Sequence, residues 1–484
     1  MTEYDVIIVG LGPTGAVLAA MLGDANIKTL VLERDTQVYP LPRAVHFDDE
    51  VMRIFQGVGI ANEVLQCAQP ATGYEFRNGS GEVLMRFSDG AVMMPSGWHS
   101  GYMCHQPGIE NALRKKMAGQ AAVDVRPGTS FVGYEQSVDQ VIVEYDGGTA
   151  RQKATARFLI GCDGGSSTVR MQAGIELDDL NFDEPWLVID ALVSNPSRLP
   201  RDNLQICDPK RPTTCVNIGH GRHRWEFMLL PHEKAEQVIE DAFILQLLEP
   251  WNCADVVEIE RKAVYRFHGL VAKEWRKGPV ILAGDAAHQM PPFAGQGMCS
   301  GIRDAANLSW KLEAVLKAGS PDTLLDSYQT EREPNVRAYI GLAIGMGQVV
   351  CILDEAAAAQ RDAGMIAMRD AGGEPMQPPP LPPLTVIVDG TEPPVGTRFI
   401  QPSADGQRLD DVLGNGPALI VRGAVEAAIP VFALDDPKLA PYRDKLGAWL
   451  DMQGVDALLV RPDRYIFGFG QAAELAAAYQ RALA

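Results

Sequence analysis

Gly284 to Gly297 reads GDAAHQMPPFAGQG, and the fold turns on these fourteen residues. An apolar strand, Val280 to Ala283, runs into Gly284-Asp285, and a long helical pattern follows from about Gly301. A sharp strand-to-helix turn explains the glycines. It does not explain an acid, two prolines and a second Gly-x-Gly in one turn, which together describe a cradle for a large anionic cofactor. Gly295-Gln296-Gly297 offers backbone N–H groups at a helix N-terminus, where negative charge is favoured. Asp285 is placed to accept hydrogen bonds from polyol hydroxyls.

Two other segments sharpen this reading. Val6-Ile7-Ile8-Val9 is a buried-strand run that enters Gly10-Leu11-Gly12-Pro13-Thr14-Gly15 and then an apolar helix. Gly10 permits the tight turn, Gly12 lets backbone approach a pyrophosphate, and Gly15 lets helix and strand pack closely. The next strand, Thr29 to Leu32, ends in Glu33, with Arg34 beside it, at the distance expected for an acid that binds an adenosine ribose. The third segment, Phe158 to Arg170 (FLIGCDGGSSTVR), is another apolar strand running into an Asp-Gly turn; alone it reads equally well as an ordinary β-turn.

In this order the three segments resemble the signatures of the single-component FAD-dependent aromatic hydroxylases, the family typified by p-hydroxybenzoate hydroxylase. The resemblance spans roughly residues 1 to 350. Pro42-Arg43-Ala44-Val45, Trp186-Leu187-Val188, Arg224 to Leu229 (RWEFML) and Gly297 to Leu308 (GMCSGIRDAANL) look like the 3-(3-hydroxyphenyl)propionate hydroxylase branch. The resemblance implies an α/β fold: a Rossmann-like FAD domain interleaved with an antiparallel-sheet substrate domain. It implies that NADH or NADPH reduces FAD transiently, since no second nucleotide fold is present, and that dioxygen then forms a flavin C4a-hydroperoxide attacked by a phenol ring. It places Pro292 against the flavin near the reacting carbon, and Gly295, Gln296, Gly297 and Met298 at the flavin's pyrimidine edge. Arg43 and Gln106 carry over as FAD contacts, and Asp163 belongs to a segment serving both FAD and nicotinamide.

The rest of the chain sets bounds. At 484 residues there is chain for about three domains. Hydrophobic content of 46% with 22% charged residues describes a globular protein. A net charge of −19 argues against nucleic acid and anionic membrane surfaces as partners; a small aromatic substrate is what the resemblance implies, and a homodimer is a separate expectation. The N-terminus enters its first strand at once, with no targeting pattern, so the cytoplasm is expected. The eight cysteines show no CxxC and no metal-ligand spacing; no metal is expected.

Residues 1–71, 101–185 and 276–371 are expected to form the FAD domain, and 72–100 with 186–275 the substrate domain. Trp225, Phe227 and Leu229 alternate with Arg224, Glu226 and Met228, the period of a sheet covered on one face and a floor for the substrate pocket. Residues 372–384, with six prolines, read as a stiff linker. Residues 385–484 are expected to form a separate α/β unit with strands at Thr385 to Val388, Ala418 to Val421 and Pro430 to Leu434, a helix near Pro441 to Gln453, a hairpin at 457–468 and a last helix. This unit resembles the thioredoxin-like domain appended to several of these hydroxylases, but it has no cysteine, so thiol chemistry is excluded there.

For the substrate, a nearby base would favour the more reactive phenolate. His46 is one candidate; a satisfied structural histidine is the competing reading. Tyr102, His220, Tyr265 and His268 are candidates on strands near the pocket. Arg224 or Arg211 offers a bidentate carboxylate site, against a surface salt bridge. Two further functional readings stay open: the same chemistry on a polycyclic polyketide or antibiotic, and a flavin-binding sensor or partner module without turnover.

Overall fold

The computed structural model describes residues 2–87, 90–137, 140–148, 150–373 and 381–484. Most of the expected Pro-rich linker, residues 374–380, lies outside these described residues.

Four apolar runs that the sequence marks as buried strands form the heart of the first sheet. Its order is Arg276–Lys277, Val280–Leu282, Arg151–Gly161, Thr2–Val9, Thr29–Glu33 and Val123–Pro127, with Val141–Asp146 and Ser130–Gln136 folded on as an antiparallel ribbon. From Val280–Leu282 to Val123–Pro127 every neighbouring pair is parallel. Val6, Ile7 and Ile8 are fully buried, as strands sandwiched between helices must be.

The three sequence motifs converge because their glycines leave no room for a side chain. Gly10 sits at φ 98°, and a Cβ there would lie 2.3 Å from the Cys162 carbonyl oxygen. A Cβ on Gly15 would lie 2.1 Å from the Gly10 oxygen, and one on Gly301 2.2 Å from Thr14 Oγ1. Helix Gly297–Lys317 therefore crosses directly over the start of helix Pro13–Asp24. It begins four residues before the expected Gly301, so Gly297 and Met298 occupy its first turn.

The second sheet runs His288–Gln289, Val257–Ala272, Leu177–Val193, Arg222–Met228, Thr213–Gly219, Asn203–Cys207, Tyr74–Asn78 and Val83–Phe87. Only the pair Asn203–Cys207 with Tyr74–Asn78 is parallel. Leu177–Val193 is continuous across the expected boundary at residue 185, because it pairs with Val257–Ala272 over almost its whole length. The alternation in Arg222–Met228 divides its two faces. Trp225 and Phe227 enter an apolar core with Leu187 and Ile189, while Arg224 and Glu226 face the other way.

The C-terminal part holds a four-stranded mixed sheet ordered Val431–Ala433, Ala418–Val421, Ala457–Val460 and Ile466–Gly470, with helices Arg443–Gln453 and Ala472–Leu483. The expected strand at Thr385 to Val388 is absent: this stretch is irregular. Ile387 N–H donates to Glu331 Oε1 at 3.1 Å and its carbonyl accepts from Arg461 at 3.0 Å, so side chains satisfy the groups a ladder would have used. One face of the sheet has its own core, with Leu446, Trp449 and Ile420. The other does not stand apart: Leu419, Leu459 and Phe467 belong to the same apolar cluster as the first sheet. No single helix among the described residues is long and apolar enough to cross a membrane.

Candidate functional site

A cavity of about 1310 Å³ runs between the two sheets, larger than the about 300–1,000 Å³ of common ligand pockets. One end is formed by the Gly10–Thr14 turn and Glu33, and the middle by Arg43, Asp163 and Asp285. The Pro292–Met298 loop faces the second sheet at the far end.

At the first end the Glu33 carboxylate accepts Leu11 N–H at 2.7 Å and Asp35 N–H at 2.8 Å. This holds the glycine turn and leaves lone pairs for hydroxyl donors. Arg34 lines the cavity beside it. Gly12 caps helix Pro13–Asp24, and a Cβ there would meet nothing within 4 Å, so its open side is the cavity itself. Gly15 does not line the cavity; it serves helix packing alone.

In the middle, Asp285 has no hydrogen-bond donor among the described residues. It opens onto the cavity yet sits deep within the fold, and desolvation raises its pKa although His288 and Arg43 pull the other way. Arg43 turns its guanidinium over Tyr39, 5.4 Å from the ring centre. Two expected contacts are otherwise engaged. The Gln106 amide is buried, with its oxygen accepting Arg43 N–H (3.1 Å) and Ala44 N–H (2.6 Å) and its nitrogen donating to Glu110; it shapes the Arg43 loop. Asp163 accepts Thr168 N–H at 2.7 Å and Val169 N–H at 3.1 Å, capping the short helix Thr168–Gln172.

At the far end, helix Gly297–Lys317 starts with no side chain capping its first amides, and Gly297 and Met298 face the cavity. Gly295 has φ 62° and lies close against His46, whose Nδ1 is 3.4 Å from the Gly295 oxygen. Burial lowers the His46 pKa, so it is neutral at pH 7. Pro292 also lines this end. Uncapped amides, an acid without a donor and a glycine open to the cavity fit a dinucleotide with a long polyol: FAD suits the residues present.

The substrate candidates separate. Tyr265 lines the cavity beneath Arg261, 4.9 Å from ring centre to guanidinium, and His268 lines it near Asp183. Tyr102 does not: its ring stacks on Phe47 and its hydroxyl accepts His99 N–H in the core. His220 does not either, being exposed in the tight turn between Thr213–Gly219 and Arg222–Met228 with φ 51°. Arg211 is held by Glu233 away from the cavity. Arg224 is neither a free anion site nor a surface residue. It is buried, bonds Asp190 at 2.6 and 3.0 Å, and donates its other N–H groups to the Pro42 and Arg43 carbonyls.

Several cavity residues escaped the sequence reading. Arg303 donates to Glu50, Asp48 and Gln296 Oε1. Arg261 shares Asp190 with Arg224. Glu226 is buried and lines the cavity, its side chain making no hydrogen bond among the described residues; its carboxylate is 3.8 Å from Arg224. Desolvation raises its pKa. Its signal was present, as the charged member of an alternating strand on the face opposite the apolar core.

A family model described as FAD binding domain matches residues 3–343. The chain is 39% identical to a probable NADH-specific resorcinol 4-hydroxylase of Rhodococcus jostii (strain RHA1), over 98% of this chain and 93% of that protein. It is 35% identical to a 3-(3-hydroxy-phenyl)propionate/3-hydroxycinnamic acid hydroxylase of Mycobacterium sp. (strain JLS), over 96% and 89%. Among solved structures, the flavin-dependent monooxygenase PieE, in complex with FAD and substrate, shares the fold with a TM-score of 0.82 at 22% identity, over 99% of both chains. Neither the polycyclic-substrate reading nor the non-catalytic one is favoured by these relatives. With the cavity and its residues in place, the chain belongs to the FAD-dependent aromatic hydroxylases.

Proposed function

We propose that the chain hydroxylates a small phenol carrying a substituent meta to its hydroxyl, with NADH as reductant and dioxygen as co-substrate. Resorcinol and 3-(3-hydroxyphenyl)propionate, named for the two relatives, share that pattern. The phenolic acid expected from sequence is one member of this class and the neutral diol another.

The observation that carries the proposal is the row of side chains on the cavity face of the second sheet. Val188 pairs with Glu226, Glu226 with Thr214, and Thr214 with Gln205, so these four line up across neighbouring strands, and all line the cavity. Cross-strand partners project to the same face. Along its own strand Glu226 lies between Arg224, tied to the Arg43 loop, and Met228, opposite the Trp186 that packs on Phe293. That places an acceptor between the two loops proposed to hold the cofactor.

Bound FAD supplies the activated oxygen. The chain's part is to bind and orient the ring and to take a proton. Glu226 accepts the phenolic O–H; as that bond breaks, the proton goes to the carboxylate and the ring gains electron density. A carboxylate with a raised pKa suits this task better than an exposed one. Asp190 and Glu226 balance Arg224 and Arg261, so the floor has no surplus cation, which favours a neutral ring there with any side-chain carboxylate directed away. Glu33, Arg34, Arg43, Asp285 and the Gly295–Met298 loop are proposed to hold FAD, with Gln106 and Asp163 supporting from behind. The C-terminal sheet is proposed to be a thioredoxin-like unit without cysteine.

The test is a panel of resorcinol, 3-(3-hydroxyphenyl)propionate and their para isomers, scored for NADH oxidation, product and uncoupled peroxide. Native mass of the same preparation reports the expected dimer. Oxidation no faster with any meta-substituted phenol than with buffer sinks the proposal. Glu226→Gln should lower kcat by about 10²-fold or more and remove the acid limb of its pH profile, while FAD content is unchanged.

A further inference from the structure

The C-terminal region reaches the cavity through a continuous polar path. Tyr465 donates its hydroxyl to Glu50 Oε1 at 2.7 Å, and Glu50 Oε2 accepts Arg303 Nε at 2.5 Å. Arg303 Nη1 donates to Gln296 Oε1 at 3.0 Å, and Gln296 is the residue that precedes the uncapped Gly297 and Met298 amides. Arg398, also from the C-terminal region, lines the cavity and pairs with Asp49 at 2.9 Å and Glu50 at 3.9 Å.

In this cluster the carboxylates outnumber the cations paired with them. Asp48, Asp49 and Glu50 provide three carboxylates, with Arg303 and Arg398 as the two cations facing them. Burial opposes the Glu50 charge, but Arg303 and Arg398 outweigh it and hold its pKa at about 2. Burial, together with repulsion from Asp48 and Glu50, raises the Asp49 pKa against the pull of Arg398. Without Arg398 the cluster becomes one unit more negative beside Arg303, which bonds Gln296 of the loop, inside a low-dielectric site where charges act strongly. On the proposed FAD placement the reduced cofactor would carry its negative charge near that loop, so extra negative charge there would oppose reduction.

We propose that Arg398 and Tyr465 are positioning residues that set the redox poise of the flavin from the C-terminal region, acting through Glu50, Arg303 and Gln296. The proposal rests on the FAD reading of the cavity. It assigns the C-terminal region an electrostatic role beyond support, although that region has no cysteine and performs no redox chemistry itself.

The experiment measures the flavin midpoint potential by dye-coupled titration in the full-length holoprotein, for wild type, Arg398→Gln, Tyr465→Phe and Arg422→Gln. Arg422 pairs with Asp451 on the exposed far side of the same region and serves as the control. Arg398→Gln should shift the oxidised-to-reduced equilibrium about tenfold toward oxidised, which is about 30 mV for a two-electron couple. Tyr465→Phe, which keeps the ring, should shift it in the same direction by less, and Arg422→Gln should leave it unmoved. Potentials equal to wild type in Arg398→Gln and Tyr465→Phe, with FAD bound at full stoichiometry, overturn the proposal. So does an equal shift in Arg422→Gln, which marks general loosening. If Arg398→Gln does not fold, Tyr465→Phe decides alone. A wild-type protein that binds no FAD refutes the cofactor reading instead, a distinct outcome.

Discussion

Glu331 is the most heavily bonded buried acid joining the C-terminal region to the rest, and Glu331→Gln tests what that junction is worth. Its carboxylate, fully buried, accepts from Lys311 Nζ at 2.7 Å, Arg461 at 2.6 and 2.9 Å, Asn307 at 2.8 Å and Ile387 N–H at 3.1 Å. Gln keeps one acceptor oxygen but removes the charge, leaving Lys311 and Arg461 to share Asp463. Breaking a buried pair from one side costs about 3–5 kcal/mol, a large part of a net stability of about 5–15 kcal/mol. The two cations respond differently. Arg461 cannot lose its proton, whereas burial already lowers the Lys311 pKa to about 8. Because that folded value lies below the unfolded one, the unfolded chain binds more protons between pH 8 and 10.5, and Lys311 makes stability rise with pH across that window. Without Glu331, Lys311 is neutral at pH 7, which adds roughly 1–2 kcal/mol there and nothing above about pH 8. Urea unfolding at pH 7 and pH 9 should therefore show a loss of about 3–5 kcal/mol that narrows at the higher pH. Adding Lys311→Met should recover part of it. A loss below about 1 kcal/mol, or one that grows with pH, would refute the argument.

Three further outcomes follow from single sites. Asp285→Ala should weaken FAD by about one to two orders of magnitude, since a hydrogen bond to a charged group is worth about 1.5–3 kcal/mol; fluorescence titration of the apoprotein measures it, and unchanged affinity removes Asp285 from the site. Gly301→Ala drives a Cβ to 2.2 Å from Thr14 Oγ1 and 3.1 Å from the Gly284 Cα; the expected cost is about 1–3 kcal/mol, read as a lower Tm and faster FAD loss. Desolvation lowers the buried His223 pKa to about 4 from 6.5. The unfolded chain then binds the extra proton between those values, so stability is complete above pH 6.5 and falls by up to about 1.4 kcal/mol per pH unit below it. His223→Phe should remove that slope in urea midpoints at pH 7 and 5, and an unaltered slope would assign acid sensitivity elsewhere.

What the sequence revealed depends on the range of the cause. Gly10 and Gly15 are legible because the dinucleotide motif carries both the residue and its reason, whereas the need for glycine at Gly301 was not, because the Thr14 it packs against is remote in sequence. The alternation of Arg224 to Leu229 likewise divided core face from cavity face, and Glu226 was on the page as the acid in that pattern. Arg224 was misjudged because its partner Asp190 lies 34 residues away, and only the pairing of the two strands brings them together. Tyr102 and His220 sit on or next to the right strands, but side-chain direction and a left-handed turn take them out of the cavity. Apart from the strand expected at Thr385 to Val388, which is irregular, the C-terminal strands and helices read from sequence are present. Their docking was not legible, because Arg461 meets Glu331 across 130 residues.

That docking poses an energetic question. Buried ion clusters stabilise little relative to apolar packing of the same volume, because desolvation cancels much of the attraction. Yet this junction holds several among the described residues, including one around Glu331 and Arg461 and one around Glu50 and Arg303. The apolar contacts of Leu419, Leu459 and Phe467 already join the C-terminal sheet to the first core, but such contacts tolerate small slides. Ion pairs at fixed geometry do not: a shift of one residue in Arg461–Tyr465 would break Arg461 from Glu331 and Tyr465 from Glu50 together. The hypothesis that follows is that the first cluster sets the register and the second uses it to fix Arg303 against Gln296. Replacing Glu331, Lys311 and Arg461 together by apolar residues then separates stability from register. Retained stability with an altered flavin absorption spectrum or potential is expected, and a spectrum and potential identical to wild type would show that apolar packing alone holds the register.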